Sequence, residues 1–266
     1  MTDGLDGMYF FNNAANASLL YESGQGSDSI KVYEDDQYRW LKLGDKTIQS
    51  AMSLAEPWRA QLPYYPALLS ALLFNHHPQS ILMLGLGGGE LVRNLRHCMP
   101  DIKLVAVEKS AAMIEVFHNW FNPESQPLTT INADVCEWQG SDHGTYDMAF
   151  LDVYSDRALP ECMYEDTLYS RLFHHLGENG ILAVNLVVKD DQEAVLLLAR
   201  IRKIFNQQTL CVAVDGHNNL VVLAFRKMPD KLQQVMLQDQ AVSVYEKAGF
   251  AARPIVENIC KHNPNV

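Results

Sequence analysis

The sequence predicts an α/β domain, a mostly parallel seven-stranded sheet with helices on both faces, preceded by a small antiparallel β unit. Three observations carry that expectation. Short apolar runs alternate with amphipathic segments from residue 81 to 205, the pattern of repeated strand-helix crossovers. The stretch ILMLGLGGGELVRNL, residues 81–95, breaks from an apolar run into glycines and then into a helical pattern, which reads as strand, tight turn and helix. In CVAVDGHNNLVVLAF only residues 215–219 separate two apolar runs. No crossover helix fits there, so the last two strands are antiparallel.

Taken in order, residues 17–52 contain alternating runs broken at SGQGSDS, EDDQ and LGDK, turn chemistry that predicts three or four antiparallel strands. Residues 56–74 are apolar at helical spacing, and His76, His77 and Pro78 end that segment. Strands follow at 81–84, 103–107, 128–132, 147–151 and 181–186, with helices at 90–98, 111–121, 163–176 and 191–205. The hairpin pairs 211–214 with 220–225, and one terminal helix is expected after 228. The expected divisions are an N-terminal β unit (1–55), a main domain (56–228) and a helical extension (229–266). The antiparallel ending favours the Rossmann-like fold of S-adenosylmethionine-dependent methyltransferases over a plain dinucleotide-binding fold.

The 266 residues, 48% of them hydrophobic, suffice for one substantial core. A net charge of −11 and a pI near 5.2 would repel phosphate backbones and anionic lipid. Nucleic acid and membranes are therefore not expected as partners, whereas a small cationic substrate suits the charge. The five cysteines show neither a CxxC pair nor a His/Cys cluster, so they read as reduced thiols with no metal site and no disulfide framework. With no apolar stretch long enough to span a bilayer and no signal-like N-terminus, the expected location is the cytoplasm.

The glycines point to a ligand. A dinucleotide fingerprint wants a third glycine where Glu90 stands, and a carboxylate there would oppose a diphosphate. Gly85, Gly87 and Gly89 instead form a GxGxG turn that lets an uncharged adenosine and a cationic sulfonium approach the backbone. Glu108 ends the next strand, placed to accept from both ribose hydroxyls, and Asp134 in INADVCEW could accept from the adenine amino group. Asp152, in YDMAFLDVYSDRALPECMYEDTLYSRL, lies at the carboxyl edge of the sheet, where open α/β sheets place their chemistry. Together with Tyr154 it suggests a pocket that holds an amine and takes a proton from it.

These segments resemble the spermidine synthase family, the polyamine aminopropyltransferases. The carriers are KTIQS, LGLGGGELVR, VAVEKS, NADVCEW, YDMAFLDVYS, GILAVNLV and NNLVVLAF, spread over residues 18–227. The resemblance implies S-adenosylmethionine or its decarboxylated form as co-substrate, a polyamine or other amine as acceptor, and a homodimer. It implies nucleoside contacts from Gln49 and Asp134, ribose contact from Glu108, amine contact from Asp152, and Tyr64 in the active-site wall. It also casts the N-terminal unit as a lid over the nucleoside.

The family pattern is incomplete. The family's GGGDGG aspartate, which holds the amino group of the transferred chain, becomes Gly88, and its DSSDP loop becomes DVYSD, with Ser155 at the second aspartate position. A noncatalytic nucleoside-binding or regulatory protein is therefore a second reading. An NAD-dependent oxidoreductase is a third, disfavoured by Glu90 and the hairpin.

Overall fold

Alternating strand residues of the large sheet are buried on both faces, which is why its strands read as unbroken apolar runs. Ile81, Met83, Phe150, Ala183 and Leu223 enter one apolar layer. Leu82, Leu84, Leu151, Leu182 and Val222 enter the other. A computed structural model describes residues 7–14, 16–25, 29–44, 47–140, 144–153 and 159–264.

The chain begins with α1 (Gly7–Asn13), then β1 (Ser18–Ser23), β2 (Ile30–Glu34), β3 (Tyr38–Leu43) and β4 (Thr47–Ser53). These four strands form an antiparallel sheet in sequence order. One face packs Trp40 and Ala51 against Phe10 of α1. The other sends Val32, Leu41 and Met52 into the main core, so the small sheet is fused to the large one by shared apolar surface.

The large sheet contains β5 (Ser80–Leu84), β6 (Lys103–Glu108), β7 (Thr129–Asn132), β8 (Tyr146–Leu151), β9 (Leu176–Val187), β10 (Thr209–Ala213) and β11 (Asn219–Phe225). Its order is β10-β11-β9-β8-β5-β6-β7. β5 to β9 are parallel neighbours, and β11 runs antiparallel between β9 and β10. This is the mostly parallel, hairpin-terminated α/β sheet expected from the sequence. Its helices are α3 (Glu90–Cys98), α4 (Ala111–Val116), α5 (Asp166–His175) and α6 (Asp191–Ile204). A π-helical turn, Phe117–Phe121, extends α4.

Four expectations need correction. Residues 56–74 are helical only in α2 (Tyr65–Leu69) and a 3₁₀ turn, Ser70–Leu73, because Pro57 and Pro63 interrupt the earlier part of the segment. The helix expected over 163–176 begins at Asp166, after a 3₁₀ turn at Glu161–Tyr164. The single terminal helix is three: α7 (Leu232–Met236), α8 (Asp239–Lys247) and α9 (Ala252–His262), interrupted at Gly249 with φ 97°.

The cysteine reading is also corrected, since Cys136 and Cys162 form a disulfide with Cα atoms 5.4 Å apart. Sequence spacing gave no hint of the pair. Both residues follow strands at the carboxyl edge of the sheet and meet in the same apolar layer, a proximity that only the topology creates. Cys98, Cys211 and Cys260 are free.

Candidate active site

The turn after β5 is built by backbone constraints on its glycines. Gly85 has φ 96°, and a Cβ there would lie 2.2 Å from the backbone oxygen of Asp152. The Asp152 N–H donates to Leu84 O at 2.9 Å. The turn and the end of β8 are thus locked together, and only glycine permits the approach. Gly89 starts α3 at φ 69°, with the Phe117 ring occupying the space a Cβ would need.

Gly88 has no such backbone demand. A Cβ there would instead meet Ser50 Cβ and Oγ, both at 2.6 Å. Ser50 is held in place because its hydroxyl donates to Glu90 Oε1 at 3.0 Å. The Glu90 carboxylate also accepts the N–H groups of Ala51 and Gln61, each at 2.7 Å. Arg93 completes the brace, donating to the carbonyls of Pro57 (2.7 Å), Phe121 (3.0 Å), Ala51 (3.3 Å) and Gly88. Glu90 is 1% exposed and Arg93 8%. Burial raises the Glu90 carboxyl, opposed by the charge of Arg93 and by its three donors. Glu90 therefore faces the N-terminal sheet rather than a ligand, and its charge gives no argument against a diphosphate. The reversed β11 alone retains that weight.

Asp152 is held at both oxygens. Tyr64 OH donates to Oδ2 at 3.0 Å, and Asn185 Nδ2 donates to Oδ1 at 2.9 Å. Burial raises the Asp152 carboxyl above its ordinary value, while the Asn185 and Tyr64 hydrogen bonds oppose the rise. Burial and then the Asp152 charge hold the Tyr64 hydroxyl well above its usual range, so it stays a proton donor.

Gln49, Tyr64, Gly85, Gly87 and Asp152 line one narrow cleft of about 20 Å³. Gln49 enters it from β4, with its Cγ 3.7 Å from where a Cβ on Gly87 would stand. Glu108 supports the turn from the side of β6, accepting Leu86 N–H at 3.0 Å and Ser110 N–H at 2.9 Å.

Glu108, Asp134 and Gly89 do not line the cleft. Asp134 accepts Cys136 N–H at 2.9 Å and pairs with Lys109 Nζ at 2.8 Å. Burial acts to raise its carboxyl, but Lys109 and the Cys136 N–H more than offset that and leave it lowered. Tyr154 lies outside the described residues. A larger hollow, about 260 Å³, shares only Val92 with the cleft and is walled by Trp58, Arg96, His97 and Pro123. It contains neither the glycine turn nor Asp152, so size does not identify the site here.

Three supporting residues escaped sequence reasoning: Asn185, Ser50 and Arg93. Asn185 had a usable signal, being an amide inside the apolar run GILAVNLV, where a buried polar group demands a partner. Ser50 and Arg93 had none, since Ser50 acts on the side chain of Glu90 and Arg93 on backbone carbonyls, all from segments distant in sequence.

No family model matches the chain. The polyamine aminopropyltransferase of Chromobacterium violaceum is 25% identical over 236 residues, covering 88% of this chain and 90% of that protein. A probable spermidine synthase from Corynebacterium glutamicum superposes with a TM-score of 0.67 at 14% identity, over 91% of this chain and 93% of that one. Human Methyltransferase-like protein 13, solved in complex with SAH, superposes with a TM-score of 0.59 at 21% identity, over 72% of this chain and 92% of that one. Similar to the aminopropyltransferase over about nine-tenths of both chains, this chain is a divergent relative of the spermidine synthase, or polyamine aminopropyltransferase, family, built on the fold which that family shares with S-adenosylmethionine-dependent methyltransferases.

Proposed function

We propose that this chain is a transferase in which an S-adenosylmethionine-type sulfonium lies against the glycine turn and gives up an alkyl group to an amine, with Asp152 as the base. One observation carries the reading: the Asp152 carboxylate accepts from Tyr64 and Asn185 while its backbone packs against Gly85. A carboxylate so fixed beside the glycine turn is suited to accept a proton from an ammonium.

The nucleoside rests on residues of this chain. Glu108 offers its carboxylate to the ribose while already accepting from the turn. Asp134 offers acceptors to the adenine amino group once Lys109, 77% exposed, swings away. Gln49 reaches over the turn from the small sheet. The donor supplies an electrophilic carbon bonded to positive sulfur. An acceptor ammonium passes its proton to Asp152, the freed lone pair attacks that carbon in line, and the carbon-sulfur electrons return to sulfur as a neutral thioether. Tyr64 keeps Asp152 oriented and, with a hydroxyl that stays protonated, does not compete as base.

Gly88 bears on which group moves. Glycine offers no group to hold the amino end of an aminopropyl chain, and a side chain at that position would run into Ser50. Of the two transfers this reading favours methyl transfer from intact S-adenosylmethionine, and spermidine formation from putrescine is expected to be slow or absent.

The test is mass spectrometry of products after incubating purified protein with each donor and a panel of amines. Asp152→Asn should lower turnover by ~10²-fold or more with nucleoside affinity little changed. Transfer of an aminopropyl group at ordinary enzymatic rates would contradict the choice of methyl transfer, and undiminished turnover in the variant would contradict Asp152 as the base.

A further inference from the structure

The antiparallel last strand contributes more than closure of the sheet. Because β11 is reversed, its first residue, Asn219, stands at the carboxyl edge beside the end of β9, where it pairs with Val187, and Asn185 pairs with Val221. Asn219 and Asn185 are therefore diagonal neighbours two positions apart, on the same face. Their side chains meet, Asn219 Nδ2 donating to Asn185 Oδ1 at 2.9 Å. Asn185 is 4% exposed, and its Nδ2 donates to Asp152 Oδ1 at 2.9 Å.

An amide has one donating end and one accepting end, and half a turn about its last torsion exchanges them. Presented to Asp152, the donor end favours a carboxylate, whereas the acceptor end favours a protonated acid. Nothing within Asn185 decides between the two. The Asn219 amide biases the choice: its donor occupies the Asn185 oxygen, so Asn185 cannot turn alone without losing that bond, and the Asn185 NH₂ is left for Asp152.

We propose that Asn219 is a positioning residue: it fixes the orientation of the Asn185 amide, so that Asp152 is met by a donor and stands ready as a proton acceptor. The inference rests on the reading of Asp152 as base. Asp152 is otherwise met by the Tyr64 hydroxyl, with Tyr65 and Glu90 the further ionisable groups felt in this pocket and Arg93 behind them. β9 and β11 bring no charged side chain to Asp152: their contribution is the amide pair.

The test is a carbon-13 NMR titration of the Asp152 carboxyl in the full chain, assigned by its loss in Asp152→Asn. Asn219→Ala frees Asn185 to turn, and Asn219→Asp forces it to turn by demanding a donor. The Asp152 midpoint should rise by about half a pH unit in the first variant and by about one unit or more in the second. An unmoved midpoint in Asn219→Ala overturns the proposal even if Asn219→Asp moves, because added charge alone would explain the latter. If Asn219→Asp does not fold, judged by its amide spectrum, Asn219→Ala decides. No substrate is needed, so the outcome separates from that of the transferase reading. Shifted midpoints in a protein that binds no adenosine thioether would reject the transferase and keep the positioning, and thioether binding with unmoved midpoints would do the reverse.

Discussion

Replacing Gly88 tests the closure that separates this chain from the aminopropyltransferase pattern. Gly88 is absent from the positive-φ glycines, so alanine meets no backbone penalty there. The whole cost is contact, since the new Cβ would lie 2.6 Å from both Ser50 Cβ and Oγ. Ser50 cannot turn aside cheaply: its Cβ is fixed to β4, and its hydroxyl holds the buried Glu90. Inserting one methyl into such a site costs about 1–3 kcal/mol, or roughly 2–6 °C in Tm at this chain length. Ser50→Gly removes the opposing atoms, so in the double variant the Gly88→Ala penalty should shrink by about 1 kcal/mol or more, beyond the cost of Ser50→Gly alone. Urea denaturation of the four proteins measures the cycle. If Gly88→Ala is as stable as the wild type, or if the two changes simply add, the closure argument is wrong. Gly88→Asp should be worse still, and should not create aminopropyl transfer.

Other consequences follow from the same geometry. Glu108→Ala should weaken adenosine thioether binding by about 1–3 kcal/mol, measured by calorimetry, and equal affinity would remove Glu108 from the ribose site. Reducing the Cys136–Cys162 bond, which closes a sequence separation of 26, should lower stability by about 3–4 kcal/mol. The denaturation midpoint of Cys136→Ser should then ignore a dithiol reductant, and sensitivity in that variant would place the effect elsewhere. Burial raises the Asp152 carboxyl in the folded chain above its unfolded value of about 3.9. Its contribution to stability is thus full below that pH and lost as pH rises through the folded value. Asp152→Asn should accordingly gain stability relative to the wild type as pH rises above about 4, and a relative loss on that rise would reverse the sign argued here.

Much of the sheet was legible because parallel strands buried on both faces leave unbroken apolar runs, and because five residues cannot hold a crossover helix. The glycine turn, Glu108 and Asp152 were legible because strand ends at a carboxyl edge are chemically distinctive. What the sequence did not display depends on distant backbone. Glu90 looks like a charge aimed at a ligand until its three donors, from Ser50, Ala51 and Gln61, are seen. The lid reading of the N-terminal unit changes for the same reason. Its removal would strip donors from buried Glu90 and an acceptor from buried Arg93, so the unit is a structural wall as much as a cover. The disulfide was hidden because its partners share neither a motif nor a nearby position, only an apolar layer.

Binding of an adenosine thioether at the glycine turn is the claim on which the rest depends, and calorimetry with a ligand panel tests it most directly. The panel is S-adenosylmethionine, its decarboxylated form, S-adenosylhomocysteine, methylthioadenosine and NAD. The account predicts measurable binding of the adenosine sulfonium and thioether ligands, weakened in Glu108→Ala, and none of NAD. Binding of NAD in preference to the sulfur ligands, or binding of none of them, would contradict it.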